Sequence, residues 1–384
     1  MNKSRVTTGL LSINHVINDT YSNFLPQLLP FLVAATGLSI TKATSLVSAF
    51  TVSSAVMQPI FGYLADRKKQ NLWIYIGTLW MAASLSLTGI CKNYTLLILL
   101  AAAAGVGTAA FHPQAYSIVS GDFSQRRGFA VSTFMGVGHL GWAAAPLLFI
   151  PLFEAYGTKA SVYIIFPSVI LALALIIFLR PNSASSKKAI EPGQGSLKEI
   201  IAELKFLLLI AGLWSLVYTG LISLLPIYLK SNTEYAGITG FLLFGFFIAG
   251  AFGGIIGGHL SDKLGRRTLI IYSSVLATPL LFGFLLFDGL TGYAFLILGS
   301  LSLMAVFPVI LVLAHELVPD NKAMTSGVCN GLGIGIGALA AILVGKIADI
   351  SGLITALGIL FFIPLIAGTL SLKIKTPETR TQAS

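Results

Sequence analysis

The chain has 384 residues, of which 55% are hydrophobic and only 10% are charged, and its mean hydropathy is +0.88. This composition excludes an ordinary soluble domain and indicates a protein that is embedded in a membrane. The formal net charge of +10 would suit a nucleic-acid partner, but the distribution of the basic residues, described below, argues against one.

Apolar segments long enough to cross a membrane recur along the whole chain. A spanning helix needs about 20 mostly apolar residues, and short polar loops separate the segments of this kind. They are continuous apolar runs and lack the alternation of β-barrel strands. We therefore predict an all-α membrane protein with twelve transmembrane helices. The predicted spans are 9–36, 44–65, 72–91, 95–119, 128–152, 160–179, 203–229, 237–260, 268–287, 291–315, 323–348 and 352–372.

The first span carries three polar side chains, His15, Asn18 and Asp19, within its apolar run. His15 and Asp19 are four residues apart, so they share one face of a helix, with Asn18 beside them. An ionisable group at the bilayer centre costs roughly 2.5–3.5 kcal/mol on insertion scales and usually faces a protein interior or an aqueous path. We predict that Asp19 takes up a proton from one side and releases it to the other, and that His15 shares this proton or binds substrate. A structural hydrogen bond to a neighbouring helix is the alternative for each residue.

The basic residues lie mainly on one side of the predicted membrane. With the N-terminus inside, nineteen of the 24 Lys and Arg residues fall in cytoplasmic segments and five fall outside. This asymmetry follows the positive-inside rule, so it predicts that both termini are cytoplasmic and that the number of spans is even. It also explains the net charge without a nucleic-acid partner.

The chain divides into two similar halves. A polar stretch near 180–204 separates six spans from six, which predicts a first bundle at 1–180, a cytoplasmic linker at 181–202 and a second bundle at 203–384. Some residues of the first half recur in the second at a spacing of 195 or 196 residues. The matching pairs include Gly62 with Gly258, Asp66 with Asp262, Pro113 with Pro308, Gly136 with Gly331 and Gly138 with Gly333. Because each half has six spans, both enter the membrane in the same direction, as in the parallel repeats of major facilitator transporters.

Two loops make this resemblance specific. Gly258-x-Leu260-x-Asp262-Lys263-x-Gly265-Arg266-Arg267 looks like the signature loop of the major facilitator superfamily. The loop after the second span keeps four of these features but has Lys69 in the position of Gly265. Charged contacts that form in only one conformation would make these loops an inner gate; a plain positive-inside loop is the alternative. The predicted gating residues are Gly62, Asp66, Arg67, Gly258, Asp262 and Arg266.

Within this superfamily the chain resembles the fosmidomycin resistance protein family of exporters. The resemblance rests on His15-x-x-Asn18-Asp19-x-Tyr21-x-x-Phe24-Leu25-Pro26, Gln58-Pro59-x-x-Gly62, Gly105-x-Gly107-x-Ala109-x-Phe111-His112-Pro113 and Arg126-Arg127-Gly128. It implies proton-driven efflux of a drug-like solute across a bacterial inner membrane. Many drug exporters carry an arginine deep in the fourth helix, where this chain has Ala101 to Ala104, so the role of that arginine does not carry over.

The resemblance also implies that the first, fourth, seventh and tenth helices line a central cavity. His112 lies near mid-depth in the fourth span, and we expect Pro113 to disturb that helix. His139 belongs to the glycine-rich run of the fifth span, and the second half contributes aromatic residues that suit an amphipathic small molecule. For both histidines the alternative is a packed polar side chain. The predicted substrate-binding residues are Asn18, Tyr21, His112, His139, Trp214, Tyr218, Phe307 and Asn330. No span carries a deep Lys or Arg, which argues against a doubly charged phosphonate unless protonated histidines receive it.

These features together predict a secondary active transporter that works by alternating access, with proton-coupled drug or metabolite efflux as the preferred interpretation. A proton-coupled importer or a uniporter is the first alternative, and a transporter-shaped receptor or assembly factor is the second. No site combines a nucleophile, a base and oxyanion donors, so we do not expect an enzyme, and no cofactor is predicted. Two histidines and one carboxylate could ligate a transition metal, but the sequence shows no metal spacing. We expect a monomer whose partners are a small-molecule substrate, protons and membrane lipid.

Overall fold

The computed structural model of the chain describes residues 3–67, 72–122, 127–178, 197–319 and 322–374, without the side chains of 3–8, 65–67, 72, 117, 120–122, 127–132, 135, 178, 322 and 323. All of its regular elements are helical, which confirms the predicted class. The α-helices are α1 (Lys3–Ser22), α2 (Phe24–Thr36), α3 (Ile40–Arg67), α4 (Leu72–Thr88), α5 (Tyr94–Asp122), α6 (Arg127–Tyr156), α7 (Ile165–Phe178), α8 (Leu197–Ser231), α9 (Thr239–Leu264), α10 (Arg266–Leu286), α11 (Gly289–Met304), α12 (Val306–Leu317), α13 (Lys322–Val328), α14 (Gly335–Ser351) and α15 (Leu353–Ser371). A 3₁₀ turn at Thr158–Ile164 precedes α7, and a π-helical turn at Cys329–Ile334 joins α13 to α14.

The helices account for the twelve predicted spans. Among the described residues, ten helical segments are long and apolar enough to cross a membrane. An eleventh, Trp73–Thr88 within α4, is apolar but shorter. The remaining predicted span is the first one, which is divided between α1 and α2.

The first span is interrupted at Asn23, one helical turn after Asp19. Asn23 separates α1 from α2 with φ −99° and ψ 15°, although its N–H still bonds to the Asp19 carbonyl at 3.3 Å. Pro26 has no N–H to offer the carbonyl of Ser22 four residues earlier, so the regular ladder of hydrogen bonds cannot continue there. The Asn23 amide group donates to the Trp142 carbonyl at 2.9 Å and holds the bend against α6. The polar face of α1 therefore lies next to a fixed bend.

Proline has different effects in the two related spans. The tenth span breaks at Ala305, between α11 and α12, where Pro308 leaves the carbonyl of Met304 without its usual donor. Pro113 stands at the matching position in α5, yet α5 runs without interruption from Tyr94 to Asp122. The expected disturbance at Pro113 is therefore not a break in the helix.

Contacts between residues divide the chain into two compact units. One contains Met1–Ala189 and Ile238–Phe244, and the other contains Ile190–Gly237 and Gly245–Ser384. In the first unit, α5 packs on α3 and α4, and α1 packs on α6. In the second unit, α8 packs on α14 and α15, and α10 packs on α11 and α15. The first part of the predicted linker at 181–202, up to residue 196, lies outside the described residues. Its last six residues form the first turns of α8.

Candidate functional site

The Asp19 carboxylate lies between two imidazole rings. Asp19 Oδ2 is 3.4 Å from His15 Nε2, one turn earlier on α1, and Asp19 Oδ1 is 3.2 Å from His112 Nε2 on α5. His15 is 1% exposed and the Asp19 side chain is 10% exposed, so little solvent screens these contacts. We refer to His15, Asp19 and His112 as the Asp19 cluster. The structure thus brings together three of the residues that the sequence singled out.

Backbone carbonyl groups fix the orientation of both imidazoles. His15 Nδ1 is 2.9 Å from the Phe134 carbonyl oxygen on α6, and His112 Nδ1 is 3.0 Å from the Thr108 carbonyl oxygen on α5. A carbonyl oxygen can only accept, so each Nδ1 must carry the hydrogen. In both rings the other nitrogen, Nε2, faces the Asp19 carboxylate.

Asn18 connects three helices beside the cluster. Its amide nitrogen donates to Thr78 Oγ1 on α4 at 3.1 Å, and its amide oxygen accepts from Thr108 Oγ1 on α5 at 2.8 Å. Asn18 is completely buried. In this conformation both ends of its side chain are engaged with the protein, and through Thr108 the amide group is linked to His112.

A glycine allows α6 to cover the cluster closely. If Gly138 carried a Cβ atom, that atom would lie 2.5 Å from His15 Nε2 and 2.6 Å from Asp19 Oδ2, well inside van der Waals contact. The glycine-rich run of the fifth span thus has a specific role, because small residues permit such close helix packing. The neighbouring His139 is exposed.

Aromatic rings surround the cluster on its remaining sides. Phe134 stacks on His15 with the ring centroids 4.3 Å apart, and Phe111 lies 5.7 Å from the same ring. The Tyr116 ring is 5.9 Å from both His15 and His112. These rings reduce the local dielectric, so a change in charge at Asp19 has a larger energetic effect than it would have in water.

Tyr21 lies away from the cluster, in a packed setting. Its side chain is buried, and its hydroxyl donates to the Ile164 carbonyl oxygen. The ring also lies 6.3 Å from that of Phe149 on α6. The structure therefore places Tyr21 between α1 and the 3₁₀ turn before α7.

The second unit brings its predicted aromatic residues together. Trp214 and Tyr218 on α8 stack at 5.1 Å, and Trp214 and Phe307 on α12 stack at 4.5 Å. The Trp214 indole donates to the Leu303 carbonyl at 3.0 Å, which fixes the ring plane. Asn330 lies in the π-helical turn, and its buried Oδ1 has no hydrogen-bond partner among the described residues.

The signature loop of the second unit forms a charged network around Arg266. The guanidinium bonds to Asp262 and to Ser261 at the end of α9, and to Glu316 on α12 at 3.1 Å. Gly265 precedes α10 with φ +88°, a left-handed conformation that favours glycine.

Other predicted gating residues are less completely described. Gly258 lies within α9, and Gly62 lies within α3, where a Cβ atom would be 3.9 Å from Pro113. The side chains of Asp66 and Arg67 lie outside the described residues, so the first copy of the gate stays a prediction.

Sequence reasoning missed several residues that complete these sites. Thr108 was recognisable in principle, because it precedes His112 by four residues and so shares its helical face. Glu316 lies 50 residues from Arg266, and no sequence pattern indicates that the two side chains pair. Phe134 orients His15 through its backbone carbonyl, and no sequence pattern reveals such a contact.

The Asp19 cluster is also compact enough for one cation to bridge it. Two imidazole nitrogens and one carboxylate oxygen, one atom from each residue, all lie within 4.8 Å of one another. The sequence shows no spacing that is typical of a metal site.

Comparisons with known proteins agree with this architecture. The family model described as the major facilitator superfamily matches residues 11–341. The fosmidomycin resistance protein of Escherichia coli strain K12 is 27% identical over 390 residues, which cover 98% of this chain and 95% of that protein. The uncharacterized MFS-type transporter YfnC of Bacillus subtilis strain 168 is 26% identical over 93% of this chain and 90% of that protein. The multidrug resistance protein MdtG of Dickeya zeae is 29% identical over 59% of this chain and 58% of that protein.

Solved structures show the same fold. A bacterial homologue of the human lysosomal transporter Spinster, in an inward-facing and unoccupied conformation, superposes with a TM-score of 0.80 at 16% identity, over 99% of this chain and 98% of that chain. The nucleoside transporter NupG, as its D323A mutant, gives a TM-score of 0.75 at 13% identity, over 96% of this chain and 99% of that chain. With the family match, the helices and the signature loop in place, the chain belongs to the major facilitator superfamily of multi-pass membrane transporters.

Proposed function

We propose that this transporter exports a drug-like solute from the bacterial cytoplasm in exchange for protons. The observation that carries the proposal is the Asp19 cluster, a buried carboxylate held between two imidazoles on α1 and α5. Ionisable groups inside transmembrane segments are costly and mark ion pathways or proton relays in transport proteins. The cluster offers a group that can change its charge where the alternating-access cycle needs one.

A proton can drive the cycle only if it binds the two conformations with different affinities. The contacts of Asp19 come from α1 and α5, and Gly138 of α6 closes over them. A relative movement of these helices would change the surroundings of the carboxylate, and with it the free energy of binding a proton. We infer that proton binding and solute binding favour opposite conformations in this way.

The relatives support the direction of transport. Two of them are described as resistance proteins, for fosmidomycin and for multiple drugs, and resistance is the expected result of efflux. The stack of Trp214, Tyr218 and Phe307 would supply apolar contact to an amphipathic solute. Asn18, Tyr21, His139 and Asn330 stay as predicted polar contributors to the solute site. The charge distribution supports an inner-membrane protein with cytoplasmic termini, and we propose that it acts as a monomer.

The proposal can be tested with a solute found by thermal shift. Purified protein is screened against phosphonates, including fosmidomycin, other antibiotics, sugars and metals, and a compound that raises the melting temperature is taken into everted membrane vesicles. We expect accumulation of this compound when the vesicle interior is acidified, and loss of accumulation when a protonophore collapses the gradient. Accumulation driven by an acidic exterior would instead indicate a proton-coupled importer, and equilibration without any gradient effect would indicate a uniporter.

A further inference from the structure

The hydrogen positions in the Asp19 cluster can be counted from its geometry. Both Nδ1 atoms must carry hydrogens because each faces a carbonyl oxygen, of Phe134 for His15 and of Thr108 for His112. The Thr108 hydroxyl cannot supply a hydrogen to His112 instead, because it donates to the Asn18 amide oxygen at 2.8 Å. In their neutral forms, both rings therefore present a bare lone pair from Nε2.

Those lone pairs face oxygens that are themselves acceptors. An ionised Asp19 has no hydrogen to donate, yet one oxygen lies 3.4 Å from His15 Nε2 and the other lies 3.2 Å from His112 Nε2. Two acceptors at such distances repel each other unless a hydrogen lies between them. Each contact therefore needs one proton, and the nitrogen holds it, because an imidazole is a stronger base than a carboxylate. The two contacts use different carboxylate oxygens, so one proton cannot serve both.

We propose that the Asp19 cluster is a two-proton site, fully loaded in the conformation described here. This rests on the proposed function and specifies the number of coupling ions. With two protons the cluster has a net charge of +1 and both contacts are attractive. With one proton the net charge is 0 and one nitrogen faces an oxygen without a hydrogen. With none the net charge is −1 and three acceptor groups face one another.

Loss of protons would therefore loosen the contact between α1 and α5. In the loaded state, Asp19 holds His112 across the two helices; in the empty state, the same pair repels. Among the described residues, the other titratable side chains near the cluster are Tyr116 from α5, whose ring lies 5.9 Å from both imidazoles, and His139 from α6. From α4, the described polar group next to the cluster is the uncharged hydroxyl of Thr78, which accepts a hydrogen bond from Asn18.

The number of protons can be counted by nitrogen NMR. The full-length protein is labelled with ¹⁵N-histidine and placed in lipid nanodiscs without solute, and its five histidines are assigned by single His→Gln substitutions. Protonated imidazolium, the Nδ1–H tautomer and the Nε2–H tautomer have distinct ¹⁵N signatures. We expect His15 and His112 to give two imidazolium signals in the same acidic range. As the pH rises, both should become the Nδ1–H tautomer.

Variants show whether the carboxylate is responsible. In Asp19→Asn the amide nitrogen can donate to one Nε2, so only one imidazolium should remain at a pH where the wild type shows two. His259→Gln, at an exposed position on α9, should leave both cluster signals unchanged. A single imidazolium at every pH, an Nε2–H tautomer in either ring, or two imidazoliums in Asp19→Asn would overturn the two-proton site.

A metal arm and a transport arm separate the remaining alternatives. If the purified protein contains a stoichiometric transition metal, and imidazolium signals appear only after treatment with a chelator, the cluster is a metal site and the proposal fails. If two imidazoliums are found but transport ignores the pH gradient, the two-proton site stands and the proposed function fails. If transport follows the gradient but only one imidazolium is found, the proposed function stands and the two-proton site fails.

Discussion

At the scale of single residues, the site depends on how three ionisable side chains share a small space. Asp19 is tolerated inside a transmembrane helix because each of its oxygens lies within 3.4 Å of an imidazole nitrogen, from His15 or His112. The imidazoles are themselves oriented by backbone carbonyls, so their reactive nitrogens cannot turn away without losing a hydrogen bond. This arrangement makes the protonation of one group depend on that of the others.

The closeness of α6 gives the first prediction. Gly138→Ala should displace His15 or Asp19, because the new Cβ atom would lie 2.5 Å from the imidazole and 2.6 Å from the carboxylate. Overpacking of this kind costs about 1–3 kcal/mol. We expect a lower melting temperature and a reduced rate of proton-driven transport.

Gly136→Ala is the matched control, two residues earlier on α6. A Cβ atom there would meet nothing within 4 Å, so melting temperature and transport should both be retained. Equal losses in the two variants would show that any alanine disturbs this helix, and that Gly138 has no special relation to the cluster.

The sequence could predict which residues belong to the cluster, but not how they are joined. His15 and Asp19 share a helical face through their spacing, and the cost of burying charge in lipid directs that face inward. The link to His112 crosses 93 residues of sequence, and the tautomers depend on carbonyl groups that carry no sequence signal. Spacing along one helix is local information, whereas the partner of a buried group depends on the packing of other helices.

At the scale of helices and loops, the molecule has a bend at one site and a charged network at another. The bend at Asn23 follows the Asp19 turn directly, so motion about it would move the cluster. Arg266 ties the start of α10 to Glu316 on α12, and Arg267 donates to the Leu372 carbonyl at the end of α15. These contacts join the ends of three helices of the second unit on its predicted cytoplasmic side.

The second prediction concerns this network as an inner gate. Asp262→Asn and Glu316→Gln should each weaken the hold on Arg266 and favour the inward-open state. Because Asp262 exposes 62% of its side chain and Glu316 39%, solvent screens both ion pairs. Each ion pair then contributes about 1 kcal/mol or less, which corresponds to a shift of up to roughly fivefold in the equilibrium between the inward-closed and inward-open states. Labelling of single cysteines from the cytoplasmic side should rise accordingly.

Asp288→Asn provides the control, since it makes the same chemical change at an exposed residue before α11. Its labelling should equal that of the parent protein. Asp66→Asn tests the first copy of the loop in the same assay. If labelling is unchanged in all of these variants, the loops serve membrane topology and have no gating role.

At the scale of the whole molecule, the two units have kept a common framework with different chemistry. The spacing of 195 residues that relates Pro113 to Pro308 also relates Asp19 to Trp214 and His112 to Phe307. In the first unit, Asp19 and His112 form a hydrogen bond at 3.2 Å. In the second unit, the matching residues Trp214 and Phe307 form an aromatic stack at 4.5 Å. We infer that one unit retains the proton chemistry and the other supplies apolar contact to the solute.

The third prediction separates these two roles. Phe307→Ala removes one ring of the stack, and an aromatic contact contributes about 0.5–1.5 kcal/mol, so binding of an aromatic solute should weaken by roughly two- to tenfold. The dependence of transport on the pH gradient should remain. Both are measured in vesicles, from the apparent affinity and from the ratio of accumulation with and without the gradient.

Phe287→Ala removes a ring from a different stack, with Phe295, at a more exposed place, and should leave the affinity unchanged. A Phe307→Ala variant with normal affinity but lost proton coupling would assign the two roles the wrong way round.

The composition predicted the overall fold well because length and apolarity alone determine which segments can cross a membrane. The exceptions were local. A proline lies within or close to the bend after Ser22, the break at Ala305 and the uninterrupted α5. The three sites differ because tertiary packing decides whether a missing hydrogen bond becomes a kink. The π-helical turn at Cys329–Ile334 had no signal beyond its glycines.

The most direct test of proton coupling at Asp19 compares driven and undriven transport in one variant. Asp19→Asn keeps the size and shape of the side chain but cannot ionise, so the fold and solute counterflow without a gradient should persist. Accumulation driven by an imposed pH gradient should fall to the level reached without one, while Asp288→Asn should match the wild type. Wild-type accumulation under the gradient in Asp19→Asn would contradict the assignment of Asp19 as the proton-coupling residue.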